Sequence, residues 1–438
     1  MNTLSFDLTK EYGKFKKLNA TNGGPWHKRH MAVQYRSNFE AYKAARIPYS
    51  RNHDIAAHTI YGGPYCHDIS AIFPDFDADV NDPASYDFGN TDEDIAICME
   101  AGTKTFFRLG QTIENQITKH NVFPPKDFKK WAQICEHIIM HYNEGWADGY
   151  HYAFDYWEIW NEPDLDVEET PCEKKRTWGG SKEQFFDFYA TAAKYLKSKF
   201  PELKFGGPAL AFRNEWADEF LRTMRERNVP IDFFSWHIYS SVPENISRRA
   251  ENIQELLCRH GYGNAENICN EWNYIKGWTD EFVYSVKQHL NVKGAAFVIS
   301  CMSVAQKSPL DMLMYYDTRP SVYNGLFDFY TAEPIKGYYS FYWYGMFYDM
   351  RAEVRAVNEI KDIYSLCGVD EKGKVLALIT HYSDNDDKES VMLSVDFGKT
   401  GNYEIYLLDK EHDGELIGTA ADLVFEMPVH SSILIKEI

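Results

Sequence analysis

Eight short segments rich in aromatic and β-branched residues recur between residues 16 and 317, and helix-forming stretches separate them. Parallel strands need such long connections, because the chain must return to the same end of the sheet before the next strand begins. The pattern predicts an α/β fold, a closed (β/α)₈ or TIM barrel. The predicted strands are residues 16–21, 47–53, 103–109, 155–161, 203–207, 231–237, 267–271 and 310–317, and the last helix before the eighth strand is predicted at residues 281–290.

The pattern changes near residue 350, where helical spacing gives way to short β segments. Residues 375–380, 391–395, 403–408 and 432–435 alternate or run as strands, with turn-forming residues between them. This is typical of a small antiparallel β-sandwich. We therefore predict a barrel over residues 15–349 and an accessory sandwich over residues 350–438, to which residues 1–14 contribute a strand.

Charge excludes two classes of partner. The chain carries 65 acidic and 46 basic residues, a formal net charge of −19. This field repels polyanions, so nucleic acid is not an expected partner, and an anionic membrane surface gains no support. No apolar run approaches the ~20 residues of a membrane span.

The N-terminus and the cysteines indicate a cellular compartment. The first ten residues lack a basic region followed by an apolar run, so they do not resemble a signal peptide. The eight cysteines are scattered without close pairs, which favours reduced, mostly buried thiols. We expect a cytoplasmic protein.

A carboxylate follows the fourth predicted strand. Residues 155–164 read Asp-Tyr-Trp-Glu-Ile-Trp-Asn-Glu-Pro-Asp, a strand-forming run that ends at Pro163, which cannot donate to a sheet. Glu162 is thereby placed, beside Asn161, at the carboxyl end of a buried strand. In barrels of parallel strands, chemistry is done at that end. On this stretch alone, a solvated strand-end glutamate is an equal alternative.

A second carboxylate is placed in the same way. Residues 267–273 read Asn-Ile-Cys-Asn-Glu-Trp-Asn and place Glu271 at the end of the seventh predicted strand. Two carboxyl groups on the rim of one barrel are the equipment of glycoside hydrolysis. The two glutamates together therefore favour a glycosidase, with an oligosaccharide as its partner and no metal or cofactor required.

Seven motifs, in order along most of the chain, resemble glycoside hydrolase family 39, a family of retaining (β/α)₈ glycosidases. They are Leu-Asn-Ala-Thr-Asn-Gly-Gly-Pro at 18–25, Arg-Asn-His at 51–53, Trp-Glu-Ile-Trp-Asn-Glu-Pro at 157–163, Gly-Gly-Pro-Ala at 206–209, Ser-Trp-His-Ile-Tyr at 235–239, Asn-Glu-Trp-Asn at 270–273 and Pro-Val-His-Ser-Ser at 428–432. The resemblance implies that Glu162 is the general acid/base and that Glu271 is the nucleophile.

The resemblance also implies supporting roles. Asn161 would bond the sugar 2-hydroxyl, His237 would bond sugar hydroxyls, and Tyr239 would donate to Glu271 and keep it ionised. His53 is a candidate for sugar binding and Arg51 for anchoring the nucleophile. For these last two, a packed barrel residue is an alternative that stays open.

The chain departs from the family at the eighth strand. The family usually places a Trp there, under the sugar, whereas residues 311–319 read Asp-Met-Leu-Met-Tyr-Tyr-Asp-Thr-Arg. Tyr315 or Tyr316 is the candidate replacement. Arg319 is a candidate partner for an acidic sugar, although a structural ion pair with Asp317 is the favoured interpretation.

Other motifs are weaker. Glu136, His137 and His141 lack the spacing of a zinc protease, and residues 384–387, Asp-Asn-Asp-Asp, lack the central Gly of a calcium loop, so a helix face and a polar turn are expected. A long loop over residues 56–89, rich in Gly, Pro, Asp and Tyr, is expected to act as a lid or subsite wall.

The expected function is a retaining exo-glycosidase acting on short oligosaccharides, with β-xylosidase as the first choice. β-Galactosidase, β-glucosidase, α-L-iduronidase and arabinosidase activities stay open, and so does a homo-oligomeric state. A catalytically silent barrel that only binds carbohydrate is the alternative from another class, although both glutamates are intact.

Overall fold

The computed structural model describes residues 2–27, 36–53, 66–319 and 322–438. After strand β1 (Asn2–Glu11), eight strands close into an all-parallel barrel in chain order. Each overlaps one of the eight predicted strands, which confirms the (β/α)₈ fold. They are β2 (Lys17–Asn22), β3 (Tyr49–Arg51), β4 (Lys104–Leu109), β5 (Tyr156–Ile159), β6 (Lys204–Leu210), β7 (Phe233–Tyr239), β8 (Glu266–Asn273) and β9 (Met312–Tyr315).

Helices connect the strands and cover the barrel. They are α1 (Phe39–Ala44), α2 (Ile69–Ile72), α3 (Gly89–Glu100), α4 (Phe128–Asn143), α5 (Lys182–Lys199), α6 (Asn214–Glu226), α7 (Glu244–Arg259), α8 (Phe282–Gln288), α9 (Val292–Lys307) and α10 (Lys336–Met346). Ser181 and Gln184 form a reciprocal capping box at the start of α5.

Helix α9 is absent from the sequence predictions. Fourteen of its sixteen residues are buried, so it shows no polar face from which a helical period can be read. The predicted helix at residues 281–290 corresponds to the short α8, and α9 follows it before β9.

The floor of the barrel is apolar. A cluster of inward-facing side chains fills the end at which the strands begin: Ala20, Tyr49, Phe106, Tyr156, Phe233, Ile268, Met312 and Met314. The rings of Phe106, Tyr156 and Phe233 meet at centroid distances of 5.2–5.6 Å. This packing closes the barrel below the polar groups that lie at the carboxyl ends of the strands.

The remaining strands form one nine-stranded sheet, in the order β15-β14-β17-β12-β11-β10-β1-β13-β16. Its pairs are antiparallel except β1 with β13, which is parallel. Leu393 of β13 and Ile405 of β14 belong to one core although five strands lie between theirs, so the sheet curls over itself into the predicted sandwich-like layer. The strands are β10 (Ala352–Ala356), β11 (Ile363–Val369), β12 (Val375–His381), β13 (Val391–Asp396), β14 (Tyr403–Leu408), β15 (Asp413–Ala420), β16 (Val424–Met427) and β17 (Ser432–Glu437).

The turn at residues 384–387 joins the sheet to the barrel. Lys293 of α9, only 2% exposed, donates to the Asp384 carbonyl and to Asp386 Oδ1, both at 2.8 Å, and Tyr274 donates to Asp384 Oδ1 at 2.6 Å. The Lys293 ammonium group thus pairs with both aspartates of this turn, which is the polar turn that the sequence predicts. On α4, His141 lies 3.0 Å from Asp92 and packs in the helix layer.

The predicted loop over residues 56–89 is only partly observable, because residues 54–65 lie outside the described residues. The described remainder is not a free lid: α2 and a one-turn helix at Pro83–Ser85 form within it, and Ile72 and Phe73 enter the core. Within the described ranges, no helix is long and apolar enough to cross a bilayer.

Candidate active site

Five of the predicted site residues meet at the carboxyl end of the barrel. Arg51 ends β3, Glu162 follows β5, His237 and Tyr239 lie on β7, and Glu271 lies on β8. Apart from Tyr239, which is half-buried, all are at most 7% exposed. Charged groups buried this deeply must be paired, and their pairing defines the site.

Glu162 projects from a tightly held backbone. Its φ is 47°, in the left-handed region, and Trp160 has a φ of 74°. The Glu162 N–H donates to the Ala209 carbonyl at 3.0 Å, and Thr177 Oγ1 donates to the Glu162 carbonyl at 2.7 Å. Unfavourable backbone conformations persist only where the surroundings enforce them, and they cluster at functional sites.

His237 lies between the two carboxylates. Its Nδ1 is 2.7 Å from Glu162 Oε1 and 3.5 Å from Glu271 Oε2. Burial, assisted by the charge of Arg51 and opposed by that of Glu271, lowers the pKa of His237 to about 4. The imidazole is therefore neutral near pH 7 and carries one N–H. Its Nε2 has no hydrogen-bond partner within the described part of the chain.

Arg51 and Tyr239 both donate hydrogen bonds to Glu271. Arg51 Nη1 donates to Oε1 at 2.8 Å, and the Tyr239 hydroxyl donates to Oε2 at 2.9 Å. Burial and the neighbouring Glu271 raise the pKa of Tyr239, so its hydroxyl keeps its proton. Both contacts stabilise negative charge on Glu271. His53 Nε2 lies 3.6 Å from Glu271 Oε1, and burial lowers the pKa of His53 well below its ordinary value.

The Arg51 guanidinium organises the floor of the site. It donates to Glu158 at 2.7 Å, to Asn161 at 2.7 Å and to Asn22 at 3.2 Å, in addition to Glu271. Burial opposes its charge, but Glu158 and Glu271 outweigh burial and its pKa is raised. The guanidinium thus lies beside Glu271, the nucleophile candidate.

Glu158 is a site-supporting residue that the sequence reasoning missed. It is fully buried and accepts hydrogen bonds from Arg51, Ser235 and Asn270. A signal was present, because a glutamate inside a buried apolar strand must have a partner.

Asn161 is oriented by the same arginine. Its Oδ1 accepts from Arg51, which directs the amide nitrogen away from the guanidinium. Among the described residues, Asn161 Nδ2 has no hydrogen-bond partner although the side chain is buried. An unpaired buried donor is costly, so this N–H fits a role in contacting a bound molecule.

A cavity of about 620 Å³ opens above the carboxylates. Aromatic residues form much of its wall: Phe212, Tyr239, Trp278, Tyr316 and Tyr323. Of these, only Tyr239 and Tyr316 were predicted. Tyr316 is the eighth-strand tyrosine that lines the cavity, whereas the other candidate packs in the core against the ring of Trp272.

The eighth-strand arginine makes an ion pair. Arg319 Nε lies 2.7 Å from Asp317 Oδ2, as the favoured interpretation of the sequence has it. Trp278, at the cavity mouth, packs its ring edge-on against Tyr239 with centroids 5.2 Å apart. It comes from the loop after β8, so an indole does reach the cavity, though not from the strand where the family usually has one.

The site also contains a set of groups that resembles a metal cluster. Glu162, His237 and Glu271 each offer an atom within 4.8 Å of the others. Arg51 already places a positive charge 2.8 Å from Glu271, which competes with a cation at that carboxylate.

Comparisons with known proteins agree with this geometry. The family model described as glycosyl hydrolases family 39 matches residues 12–310, more than half of the chain. The chain belongs to this family. The match covers the first seven barrel strands, β2 to β8, and both glutamates.

Two curated relatives and one solved structure show how far the likeness extends. A beta-xylosidase from Caldicellulosiruptor saccharolyticus is 32% identical over 40% of this family-39 chain, and one from Geobacillus stearothermophilus is 36% identical over 28%. The matches span only 35% and 23% of those two proteins. A glucosidase structure from Croceicoccus marinus has a TM-score of 0.80 at 22% identity, covering 100% of this chain and 98% of that one, which shows the shared fold.

Proposed function

We propose that this family-39 chain is a retaining exo-glycosidase, with Glu162 as general acid/base and Glu271 as nucleophile. One observation carries the proposal: carboxylate oxygens of the two residues lie within 4.8 Å of each other on one barrel rim. Retaining enzymes place their carboxyl groups about 5–5.5 Å apart, whereas inverting enzymes need about 6.5–9.5 Å to admit a water molecule.

The two carboxyl groups have different surroundings, and the first half-reaction depends on that difference. A Glu271 oxygen attacks the anomeric carbon while the bond to the glycosidic oxygen breaks. Glu162 donates its proton to that oxygen, which leaves as an alcohol. Arg51 and Tyr239 bind Glu271 and favour its charged form, whereas Glu162 contacts the neutral imidazole of His237. This difference supports the assignment of the two roles.

The second half-reaction returns the enzyme to its starting state. Glu162, now a carboxylate, takes a proton from a water molecule, whose oxygen attacks the anomeric carbon. The ester bond to Glu271 breaks and the sugar leaves with its original configuration. Asn161 Nδ2 would bond the 2-hydroxyl throughout, and His237 Nε2 and His53 would contact further hydroxyls, with Arg51 and Tyr239 fixing the nucleophile.

The substrate is proposed to be a short oligosaccharide from which a terminal sugar, xylose as the first choice, is released. Two relatives are named beta-xylosidases, a third is named an alpha-1,4-L-rhamnosidase, and a structural neighbour is named a glucosidase. Galactoside, glucoside, iduronide and arabinoside substrates stay open. We propose a cytoplasmic setting, consistent with eight cysteines that all have free thiols.

A panel of nitrophenyl glycosides tests the function. Purified protein is assayed on the β-xyloside, β-galactoside, β-glucoside, α-L-arabinosides and α-L-iduronide, in parallel with Glu271→Ala. Turnover of one sugar that the variant loses supports the proposal. A panel on which the native protein is silent, combined with sugar binding that Glu271→Ala retains, would instead indicate a carbohydrate-binding barrel.

A further inference from the structure

A short segment after β6 is held from below by a buried carboxylate. Asp164, 1% exposed, accepts hydrogen bonds from the backbone N–H groups of Ala211 at 2.7 Å, Phe212 at 3.0 Å and Arg213 at 2.9 Å. Asp164 lies two residues after Glu162. The carboxylate that holds residues 211–213 is thus part of the same short stretch as the proposed acid/base.

The same segment is held from the other side by an arginine. Arg249 of α7 points its guanidinium at the carbonyl oxygens of Ala211 and Phe212, each at 3.4 Å, and lies 5.5 Å from the centroid of the Trp236 ring. Both the N–H groups and the carbonyl groups of the segment therefore have partners on neighbouring elements. The backbone at residues 211–212 is fixed relative to the rim.

This rigid segment presents an exposed aromatic ring to the cavity. Phe212 lines the cavity, yet its side chain is 53% exposed. The guanidinium of Arg213 lies 4.9 Å from the ring centroid, so one side of the ring is in contact with a cation. A fixed aromatic ring at the mouth of a polar site is suited to stacking on the C–H face of a sugar.

The position of Phe212 indicates which sugar would stack there. The Glu162 N–H donates to the carbonyl of Ala209, three residues before Phe212, so the ring lies on the acid/base side of the cavity. A general acid donates its proton to the oxygen of the leaving group. The group beyond that oxygen is the part of the substrate nearest to this side.

We propose that Phe212 is the stacking platform for the leaving-group sugar and sets the preference for the leaving group, and that Asp164 is the positioning residue that fixes it relative to Glu162. The proposal rests on the glycosidase function proposed above. It names a binding residue that acts on the leaving group and not on the sugar that becomes bound to Glu271.

The test compares two substrates that share the released sugar and its anomeric configuration. One is the disaccharide, whose leaving group is a sugar ring, and the other is the glycosyl fluoride, whose leaving group has no ring to stack. Loss of one stacking contact is worth about 1 kcal/mol. We expect Phe212→Ala to lower the ratio of kcat/KM for the disaccharide to kcat/KM for the fluoride by roughly fivefold.

Two further variants make the result specific. Phe212→Tyr keeps the ring and should keep the native ratio. Phe329→Ala removes a ring that is also 53% exposed but does not line the cavity, and it should leave the ratio unchanged.

Three outcomes overturn the proposal. An unchanged ratio in Phe212→Ala, or an equal change in Phe329→Ala, contradicts the platform while leaving the glycosidase function intact. A native protein that turns over neither substrate contradicts the glycosidase function itself, and the platform with it.

Discussion

His237 Nδ1 lies 2.7 Å from Glu162 Oε1, with the imidazole 1% exposed. The same nitrogen lies 3.5 Å from Glu271 Oε2, so one neutral ring touches both proposed catalytic carboxylates. A charged imidazole would pair with both glutamates and compete with the substrate for them. The depressed pKa of His237 therefore leaves Glu162 available for proton transfer and Glu271 available for nucleophilic attack.

The pKa of His237 predicts a pH dependence of stability. Its pKa is about 4 in the folded chain and 6.5 in the unfolded chain, so between these values the unfolded chain binds the extra proton. Stability should therefore fall as the pH falls from about 6.5 to about 4, by about 3 kcal/mol from this group. Urea unfolding at several pH values measures the free energy of unfolding of the native protein and of His237→Gln. The value for the native protein should fall more steeply as the pH falls. Parallel curves would show that His237 is not responsible.

Removing the acid should make catalysis depend on the leaving group. Glu162→Ala cannot protonate the glycosidic oxygen, so we expect roughly a 10²–10⁴-fold loss in kcat/KM on a disaccharide. The loss should be much smaller on a dinitrophenyl glycoside, whose leaving group needs no proton. Steady-state kinetics on both substrates measures the difference. Equal losses on the two would remove Glu162 from the acid role.

Arg51 should be essential for stability as well as for activity. Arg51→Met leaves Glu158 and Glu271 without the guanidinium that they share, and an unpaired buried charge costs about 3–5 kcal/mol. Arg227→Met, which breaks the exposed ion pair with Asp187, is the control and should cost at most about 1 kcal/mol. Urea titrations measure the free energies of unfolding of the native protein and of both variants. Similar values for both variants would contradict the account of Arg51.

Asn161 should act through the sugar 2-hydroxyl. Because its Nδ2 has no protein partner among the described residues, we expect Asn161→Ala to lower kcat/KM by roughly a hundredfold on the normal substrate. The native protein should already have a low kcat/KM on the 2-deoxy substrate, and Asn161→Ala should lower kcat/KM on that substrate only a little further. Additive losses from the variant and the deoxy substrate would show that Asn161 contacts another group.

The strand pattern made the barrel predictable, whereas helix α9 could not be predicted from the sequence. Glu162 and Glu271 could be placed because each ends a short apolar strand, and parallel strands bring such ends together. Helix α9 has no such signal, since it is buried on nearly all sides and its periodicity is lost. Its placement depends on the sheet packing against it, which no local pattern reveals.

The cavity wall was the hardest part to predict. Phe212 and Trp278 lie on loops, and a loop residue reaches a site through contacts that are distant in sequence, such as those of Phe212 with Asp164 and Arg249. Glu158 was accessible to sequence reasoning, because charge inside a buried strand needs a partner. Its partners from β3, β7 and β8 could be named only once the barrel was closed.

The central claim is that Glu271 forms a covalent bond to the sugar, and trapping that bond tests it most directly. A 2-deoxy-2-fluoro glycoside with a dinitrophenyl leaving group, of the sugar that the panel identifies, slows both half-reactions and lets the intermediate accumulate. Mass spectrometry of the digested protein should then show one added sugar on the peptide that contains Glu271, and none in Glu271→Ala. Turnover of the normal substrate without any such adduct, or an adduct on another residue, would contradict the account.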